Sequence, residues 1–377
     1  MLPTLMEVEG VDAGALRRFV EFVLNPLSLA IVARGIDDGI FEALAAAPLG
    51  LAELAAELGA EPGSVGLEMT VELGRDLGLL ALDGARDSAR VGLSDLSRRF
   101  LTRGSPLRLL GLVDHYRRYL PAAASLPEAL RLTPRAKRTM WRPGAEREEH
   151  RAYFAARQAY NESRRDYFRD TAYLLLRGHL RHGLGERRRL CDVGAGPGAF
   201  ACLVKKCFPA IEAIAVDVSF GFDAYRERSE AMAAAEGVDV AFVGANALLD
   251  PLPEGVDVIT LNRLISGVPR DGADAWIERA FAALAPGGVL AMVDMVMSGD
   301  PEHDHLVALV VAQWMAKDRY LIAREPPTDP NDDKHQWGWS PPWRGEELEA
   351  RLRAHGFVDT FTRAADPPFT LVGGIRP

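Results

Sequence analysis

The first hundred residues follow a helical pattern of apolar positions. Apolar side chains that recur at three- and four-residue steps share one helical face: Leu29, Val32, Ile36, Ile40 and Leu44. The stretch "LAELAAELGAEPGSVGLEMTVELGRDLG" then predicts two helices about a turn, and "LALDGARDSARVGL" predicts two short strands. Helices joined by a turn and followed by a hairpin are typical of a winged helix, which we expect over residues 1–105.

Winged helices often bind DNA, but the charge of this one argues against that role. Its second helix carries a single basic residue, Arg75. The whole chain has a formal net charge of −9, whereas binding to a phosphate backbone normally requires a basic surface. We therefore expect no nucleic-acid partner, and we expect the domain to pack in a homodimer.

Residues 106–186 are predicted to be mostly helical and to connect two domains. Within this connector, "HRAYFAARQAYNESRRDYF" places polar side chains near one helical face: Tyr153, Tyr160, Asn161 and Arg164. Such a stripe is commonly solvated. It is also suited to orienting a polar substrate, so we regard these four residues as candidate substrate contacts.

From residue 187 to 377 the pattern changes to short apolar runs that alternate with helical segments. "RRLCDV", "IEAIAVDV", "VDVAFV", "VDVITLN" and "GVLAMVDMV" are rich in Val, Ile and Leu, as buried strands are. This alternation predicts an α/β fold with a doubly wound, mostly parallel sheet. The last two runs, "FVDTFTRA" and "FTLVGGI", predict an antiparallel hairpin at the sheet edge.

Composition indicates the number of domains and the expected cellular compartment. The chain has 377 residues, enough for two domains, and 48% of them are hydrophobic. No apolar run approaches the roughly 18 residues of a membrane span, and the N-terminus lacks the pattern of a signal peptide. The three cysteines show no CxxC spacing. We expect a cytoplasmic protein with reduced thiols and no membrane partner.

The stretch "LCDVGAGPGAF" joins the first strand of the sheet to a helix. Gly194, Gly196 and Ala199 satisfy the G-x-G-x-x-G/A pattern, and Asp217 ends the next strand about 20 residues on. A dinucleotide site is therefore one hypothesis. Asp192, however, would lie close to a pyrophosphate and is better suited to a cationic ligand group. The pattern also continues to a third glycine, Gly198.

These motifs resemble those of the class I S-adenosylmethionine-dependent methyltransferases. More closely, the chain is similar to small-molecule O-methyltransferases with an N-terminal winged-helix dimerisation domain. The resemblance rests on "IVARGIDDGIFEAL", "LAELAAELGAEPGSV", "LCDVGAGPGAF", "AVDV" and "LAPGGVLAMVD", and it covers nearly the whole chain. It implies a seven-stranded sheet, a homodimer, a small-molecule acceptor and S-adenosyl-L-methionine as the methyl donor, with S-adenosyl-L-homocysteine as product.

The resemblance also implies roles for individual residues. The glycine loop would lie against the methionine part of the cofactor, and Asp217 would hold both ribose hydroxyls. An exposed charge at a strand end is the simpler alternative for Asp217. At the position near the adenine, an acid common in relatives is absent. The matching residue is Ala247, or Asn246 with a shift of one residue, and Asn246 is the candidate because its amide can bond an adenine amino group. The full set of expected cofactor residues is Asp192, Gly194, Gly196, Gly198, Asp217, Asn246 and Asn262.

The expected catalytic histidine is missing. "LNRLISGVP" keeps Arg263, a candidate substrate contact, but places Ser266 where the resemblance would put the base. A hydroxyl is no general base near neutral pH without an activator. Asp294 aligns with the acid that flanks that histidine, although a structural role at a strand end is as plausible. The substitution favours a soft or already ionised acceptor: a sulfur, an enol or carbon, or an oxygen.

Two further residues complete the predicted acceptor side. Trp314 is a candidate wall of the pocket, and His335, in a long loop rich in Pro and aromatic residues, is a candidate substitute base. His303 and His305 are two residues apart, so we expect no metal site there. Three alternatives stay open: a cofactor-binding relative that hydroxylates, decarboxylates or cyclises, a ligand-sensing winged-helix regulator, and an NAD oxidoreductase.

Overall fold

The computed structural model describes residues 3–61, 63–84, 90–125, 164–268, 270, 272–324, 342–366 and 368–377. The chain divides into two compact units. One holds Gly10–Leu120, and the other holds Leu2–Glu9 together with Pro121–Pro377. The sequence prediction placed boundaries after residues 105 and 186, and those boundaries stay predictions.

Fourteen α-helices lie in the described parts of the chain. They are α1 (Leu5–Glu9), α2 (Ala13–Leu24), α3 (Pro26–Asp37), α4 (Ile40–Ala43), α5 (Leu51–Glu57), α6 (Val65–Asp76), α7 (Asp95–Phe100), α8 (Leu110–Arg117), α9 (Arg165–Leu180), α10 (Ala199–Cys207), α11 (Asp223–Ala235), α12 (Ala273–Ala283), α13 (Pro301–Arg324) and α14 (Gly345–Ala354). Short 3₁₀ turns cover Leu120–Ser125, Leu184–Glu186, Val218–Gly221 and Ile265–Gly267.

Ten strands in the described ranges form two sheets. They are β1 (Leu49–Gly50), β2 (Leu80–Asp83), β3 (Arg90–Leu93), β4 (Arg189–Val193), β5 (Glu212–Val216), β6 (Ala241–Val243), β7 (Val256–Asn262), β8 (Leu284–Asp294), β9 (Val358–Ala364) and β10 (Thr370–Ile375). The first three make a small antiparallel sheet in the order β1-β3-β2, and the other seven make one sheet in the order β6-β5-β4-β7-β8-β10-β9.

The first unit contains the helices and hairpin that the sequence predicted. Side chains satisfy the free backbone N–H groups at the helix starts, as when Asn25 accepts from Leu27 and Ser28 at the start of α3. Its core is aliphatic and aromatic, and the rings of Phe19 and Phe100 lie 5.2 Å apart. Helices α5 and α6 followed by β2 and β3 have the expected order, while the name winged helix stays a prediction.

The second unit confirms the α/β prediction. Strands β6, β5, β4, β7 and β8 are parallel, and β10 lies antiparallel between β8 and β9. The order reverses between β4 and β7, and open α/β sheets bind ligands at such a point, beyond the carboxyl ends of the strands. The predicted site residues Asp192, Asp217 and Asp294 all lie at that edge, at or next to the ends of β4, β5 and β8.

The described helices also bear on the membrane prediction. None of them alone is both long and apolar enough to span a bilayer, and only α2 and α3 together pass on length and composition, with a bend of 98° between them. The cysteines are free: Cys191 and Cys202 are buried, and Cys207 is half-buried.

Candidate active site

The loop between β4 and α10 is shaped by its glycines. Gly194, Gly196 and Gly198 have φ angles of +70°, +55° and +81°, which side chains other than glycine rarely adopt. The loop is held to the sheet because the N–H groups of Gly194 and Ala195 donate to the carbonyl of Val216 at 2.8 and 3.2 Å.

Space is a second reason for these glycines. A Cβ on Gly198 would lie 2.5 Å from a ring carbon of Phe242, and one on Gly194 would lie 2.7 Å from a methyl group of Leu264. Both distances are shorter than a real contact. The loop therefore forms a tight backbone cradle that any side chain would fill.

Asp217 lies immediately after β5 and faces this cradle. Its Oδ2 accepts the N–H of Gly196 at 2.9 Å, and its Oδ1 accepts the N–H of Ser219 at 2.8 Å. Burial raises the pKa of Asp217, and the two N–H donors together with the hydroxyl of Ser219 oppose that rise. A carboxylate has about four acceptor sites, so acceptor capacity remains for a hydroxyl donor, and a diol that displaces the Ser219 hydroxyl could use two sites.

Asp192, at the end of β4, is 1% exposed, and only one of its two carboxylate oxygens has hydrogen-bond donors among the described residues. Its Oδ1 accepts from the hydroxyl of Thr260 at 2.8 Å and from the amide nitrogen of Asn262 at 2.9 Å. Its Oδ2 is buried with no hydrogen-bond partner among the described residues. An uncompensated buried carboxylate oxygen is costly, which indicates a ligand group with a donor.

Burial raises the pKa of Asp192 to about 7. The bonds from Thr260 and Asn262 lower it, and the charge of Asp217 raises it further. A cation beside Oδ2 would favour the ionised form, as the sequence reasoning expected. Asp192, Asp217 and the glycine cradle thus fit a ligand with an ammonium group and a ribose.

Asn246 lies after β6 and is 6% exposed. Its Oδ1 accepts the N–H of Leu248 at 3.0 Å, and its own N–H donates to Asp250 at 2.9 Å. The side chain thus stabilises a turn. Its expected contact with an adenine stays a prediction.

The carboxyl ends of β7 and β8 bring Ser266 and Asp294 together. The fully buried Asp294 accepts the N–H of Ser266 at 3.0 Å and that of Met295 at 2.7 Å. Burial raises the pKa of Asp294, while these donors, the charge of Arg263 and a side-chain hydrogen bond from Ser266 lower it. The carboxylate therefore fixes the loop after β7, whatever part it takes in the reaction.

Arg263 has a φ of +54°, which is uncommon for a residue with a side chain. Its Nη1 donates to the hydroxyl of Tyr167, and its guanidinium lies 4.8 Å from the ring centre of Tyr167 and 5.8 Å from that of Trp314. This backbone conformation is held by a hydrogen bond from the Arg263 N–H to the carbonyl of Val293, at 2.9 Å. Strained backbone of this kind is found most often at functional sites. Arg263 and Trp314, both expected on the acceptor side, are thus neighbours.

Several expected residues lie outside the described parts of the chain: Tyr153, Tyr160, Asn161 and His335. Arg164 is described, and it lies at the start of α9. Trp343 follows the last gap before α14, and its indole N–H donates to the carbonyl of Ile265 at 3.0 Å. In the described residues no group of three or more His, Cys, Asp or Glu side chains is arranged to hold a metal ion.

The sequence reasoning missed two residues that the fold brings to the site. Tyr167 contacts Arg263, and His179 bonds Asn262 at 2.8 Å. Both lie on α9, within a helix whose buried face gave no motif. His179 could have been noticed as a histidine on an apolar helical face, but its partner lies 83 residues away in sequence.

Comparison with known families agrees with this geometry. The O-methyltransferase domain family matches residues 158–322. This match places an O-methyltransferase domain at residues 158–322, which are less than half of the chain. The seven-stranded sheet, whose last two strands lie beyond the matched segment, carries the glycine loop at its carboxyl edge, as the sequence predicted.

Curated relatives support the same class over different lengths. Demethylspheroidene O-methyltransferase of Rhodobacter capsulatus is 30% identical over 116 residues, which are 31% of this chain and 28% of that enzyme. The chain thus aligns with less than a third of that relative's length. Acetylserotonin O-methyltransferase of Macaca mulatta is 24% identical over 273 residues, 70% of this chain and 75% of that enzyme.

A solved structure extends the fold comparison to most of the chain. Human N-acetylserotonin methyltransferase in complex with SAM superposes with a TM-score of 0.67, at 18% identity, over 93% of this chain and 94% of that one. At this identity the superposition establishes the fold of the methyltransferase domain and not its acceptor.

Proposed function

We propose that this protein transfers the methyl group of S-adenosylmethionine to a small molecule. The observation that carries the proposal is the buried, unpartnered Oδ2 of Asp192 beneath a cradle of positive-φ glycines. An amino-acid ammonium group would supply the missing donor and the balancing charge. The O-methyltransferase domain match and a SAM-bound structural neighbour support the same ligand.

The remaining contacts of the cofactor follow from the strand order. Asp217 would accept the ribose hydroxyls with the lone pairs that Gly196 and Ser219 leave unused. The methionine part would lie against the glycine loop and next to Asp192. Both carboxylates lie at the end of adjacent parallel strands, β4 and β5, so one extended ligand can reach both.

The acceptor is proposed to be soft or already ionised. Methyl transfer from a sulfonium is an in-line displacement: the S–CH₃ bond breaks as the bond to the acceptor forms, and the sulfur leaves as a neutral thioether. The protein then supplies alignment and a dry site, and a base is required only for an acceptor that must lose a proton. Ser266 offers no such base, and the adjacent Asp294 already accepts two backbone N–H groups.

Arg263 suits an acceptor with a negatively charged oxygen. Its guanidinium is enclosed by the rings of Tyr167 and Trp314, which reduces the screening of its charge by water. An enolate or carboxylate oxygen placed near it would be stabilised without a proton transfer. This supports an oxygen acceptor that is ionised before it binds.

The proposed assembly is a cytoplasmic homodimer. Val65, Met69 and Leu73 recur every four residues along α6 and are 73%, 51% and 37% exposed. The one basic residue on this helix, Arg75, pairs with Glu72 and Asp76, which disfavours contact with nucleic acid. A second copy of this chain, with the same apolar stripe, is the occupant that fits best.

Incubation with S-adenosylmethionine that carries a heavy methyl group tests the proposal. The purified protein is mixed with a metabolite extract and products are sought by mass spectrometry. A labelled small molecule that is absent with the Asp217→Ala variant is the expected result, and its fragments identify the accepting atom.

Tight cofactor binding without any labelled product, in extracts that label a control methyltransferase's acceptor, would contradict methyl transfer. It would favour a second function, non-methylating chemistry by a cofactor-binding relative. The observation that favours this alternative is that Ser266 occupies the position where the family resemblance predicts a catalytic histidine. Tight binding of NADH with no binding of S-adenosylmethionine would contradict both.

A further inference from the structure

A chain of buried polar groups leads from α9 to Asp192. His182 and His179 are joined by a ring nitrogen contact of 2.9 Å, from Nε2 of His182 to Nδ1 of His179. Nε2 of His179 then lies 2.8 Å from Oδ1 of Asn262, whose Nδ2 donates to Oδ1 of Asp192 at 2.9 Å. His179 is fully buried.

The direction of the hydrogen bonds depends on the charge of Asp192. An ionised carboxylate accepts only, so Asn262 must present its N–H₂ to Asp192 and its oxygen to His179. His179 must then carry its proton on Nε2 and accept at Nδ1. If the amide were turned over, its oxygen would face the carboxylate oxygen, which is tolerated only when Asp192 holds a proton.

Neutral imidazoles suit this chain. Burial lowers the pKa of His179 well below the usual range, and burial lowers that of His182 to about 4. The charges of Arg187 and Arg363 lower the pKa of His182 further. Both rings are therefore uncharged at neutral pH, and each has one donor and one acceptor nitrogen.

We propose that His179 is a positioning residue of the cofactor site: by donating from Nε2 to Asn262 it holds that amide with its N–H on Asp192, and so leaves Oδ2 of Asp192 open for the ammonium group of the ligand. The inference rests on the proposed function, because it takes the ligand to be S-adenosylmethionine or S-adenosylhomocysteine. Asn262 belongs to the expected cofactor site, whereas His179 and His182 add a support behind it that no sequence motif marks.

The groups that interact directly with Asp192 come from its own strand and three other elements. Thr260 and Asn262 lie on β7, and Asp217 follows β5. The Asp192 charge raises the pKa of Cys202 on α10 and of the adjacent Cys191 on β4, whereas His179 on α9 reaches Asp192 only through Asn262. Asp217 and Cys202 are present in every variant below. A change in the pH dependence between variants therefore reports the His179–Asn262 arm.

The test uses the full chain and calorimetric binding of S-adenosylhomocysteine between pH 6 and 8.5. His179→Phe keeps a ring of similar size and removes the donor, whereas His179→Gln keeps an N–H₂ donor near the Nε2 position. A deaminated ligand, S-adenosyl-4-thiobutyrate, lacks only the amino group. His355→Phe is the matched control, since His355 is half-buried and pairs with Asp274 at 3.3 Å, away from this chain.

The wild type is expected to bind S-adenosylhomocysteine more tightly as the pH rises, because Asp192 must ionise. His179→Phe should bind it roughly tenfold more weakly at pH 7 and recover at a midpoint about one pH unit higher. His179→Gln should lie close to the wild type, as should His355→Phe. The deaminated ligand should bind the wild type and His179→Phe about equally.

Three results would overturn the proposal: an unchanged affinity and midpoint in His179→Phe, equal weakening for both ligands, or a His179→Gln variant as weak as His179→Phe. The last two would mean a merely structural role. If His179→Phe does not fold, the pH midpoint of binding is compared between His179→Gln and Asn262→Ser, which removes the amide. A midpoint that is higher in Asn262→Ser than in His179→Gln supports the proposal, and equal midpoints contradict it. A wild type that binds neither ligand would instead refute the proposed function.

Discussion

The backbone N–H of Ser266 donates to Oδ2 of Asp294 at 3.0 Å, and this bond ties the loop after β7 to the end of β8. The residue at the position of the expected base is thus held by a carboxylate through its main chain, and its hydroxyl also bonds Asp294. Ser266→Ala retains the main-chain bond and loses the hydroxyl bond. We expect it to lower kcat less than about fivefold and to leave the shape of the pH–kcat profile unchanged, because no base is lost.

Asp294→Asn should be more damaging than Ser266→Ala. An asparagine oxygen can replace one carboxylate acceptor, but its N–H₂ would face one of the two backbone N–H donors. We expect the free energy of unfolding, measured by urea denaturation, to fall by about 1–3 kcal/mol. The exposed Asp239→Asn is the control, and equal stability of the two variants would contradict this account.

Gly198 and Gly287 provide a matched pair for the glycine loop. Both have positive φ angles, +81° and +77°, but a Cβ on Gly287 meets nothing within 4 Å whereas one on Gly198 meets Phe242 at 2.5 Å. Gly287→Ala should lower the free energy of unfolding by about 1–2 kcal/mol through backbone strain alone. Gly198→Ala should lower it by about 1–3 kcal/mol more and should weaken the binding of S-adenosylhomocysteine.

Thermal and urea unfolding check the first effect and calorimetry checks the second. If Gly198→Ala is no less stable than Gly287→Ala, the contact with Phe242 does not restrict the loop.

The pH dependence of stability depends on Asp192. A buried acid whose folded pKa is raised, here from 3.8 to about 7, stabilises the protein in its protonated form. That contribution is complete below the unfolded pKa and is lost as the pH rises through about 7. Between pH 6 and pH 8 the loss is about 1.4 kcal/mol in the unliganded protein.

His179 and His182 act in the opposite direction, because their folded pKa values are lowered and their contribution grows as the pH rises through the ordinary histidine range. In the wild type these contributions therefore partly offset that of Asp192 between pH 6 and pH 8. Asp192→Asn lacks the acid, so it should gain about 1.4 kcal/mol relative to the wild type over that range. Parallel pH curves for the two proteins, from urea unfolding, would refute the assignment.

Tyr167 and Tyr173 lie on the same helix and are both buried, but only the hydroxyl of Tyr167 is bonded to Arg263. The hydroxyl of Tyr173 is buried without a partner in the described residues. Tyr167→Phe should reduce kcat/KM for the acceptor about tenfold or more, since a bond to a charged group is lost, while the KM for the cofactor stays within about twofold. Tyr173→Phe should leave both values unchanged, and a similar loss in both variants would point to the helix rather than to Arg263.

The apolar stripe on α6 offers a test of the dimer. Met69→Glu places a charge in the middle of the stripe, and we expect it to halve the mass measured by light scattering at micromolar concentration. Met6→Glu makes the same change at a side chain that is 83% exposed on α1 and should keep the wild-type mass. A wild type that is already monomeric would contradict the dimer directly.

Local pattern was enough to predict the parallel sheet and the glycine loop. Buried strands such as "VDVITLN" and "GVLAMVDMV" are unbroken runs of β-prone residues, and the glycines mark a loop that needs positive φ. The sequence placed Asp217 and Asp192 at strand ends, and parallel strands bring their carboxyl ends to one edge. The ligand-binding roles proposed for them came from the motif spacing and the family resemblance, and they stay predictions.

Only the tertiary structure decided which groups complete the site. His179 lies 83 residues from Asn262, and Tyr167 lies 96 residues from Arg263. No periodicity within a helix indicates which strand end its buried polar side chains will meet. The sequence determined the fold and the acids at its edge through short-range patterns of hydrophobicity and glycine. The tertiary structure determined the pKa values of those acids, since pKa depends on burial and on partners that are distant along the chain, such as Thr260 and Asn262 beside Asp192.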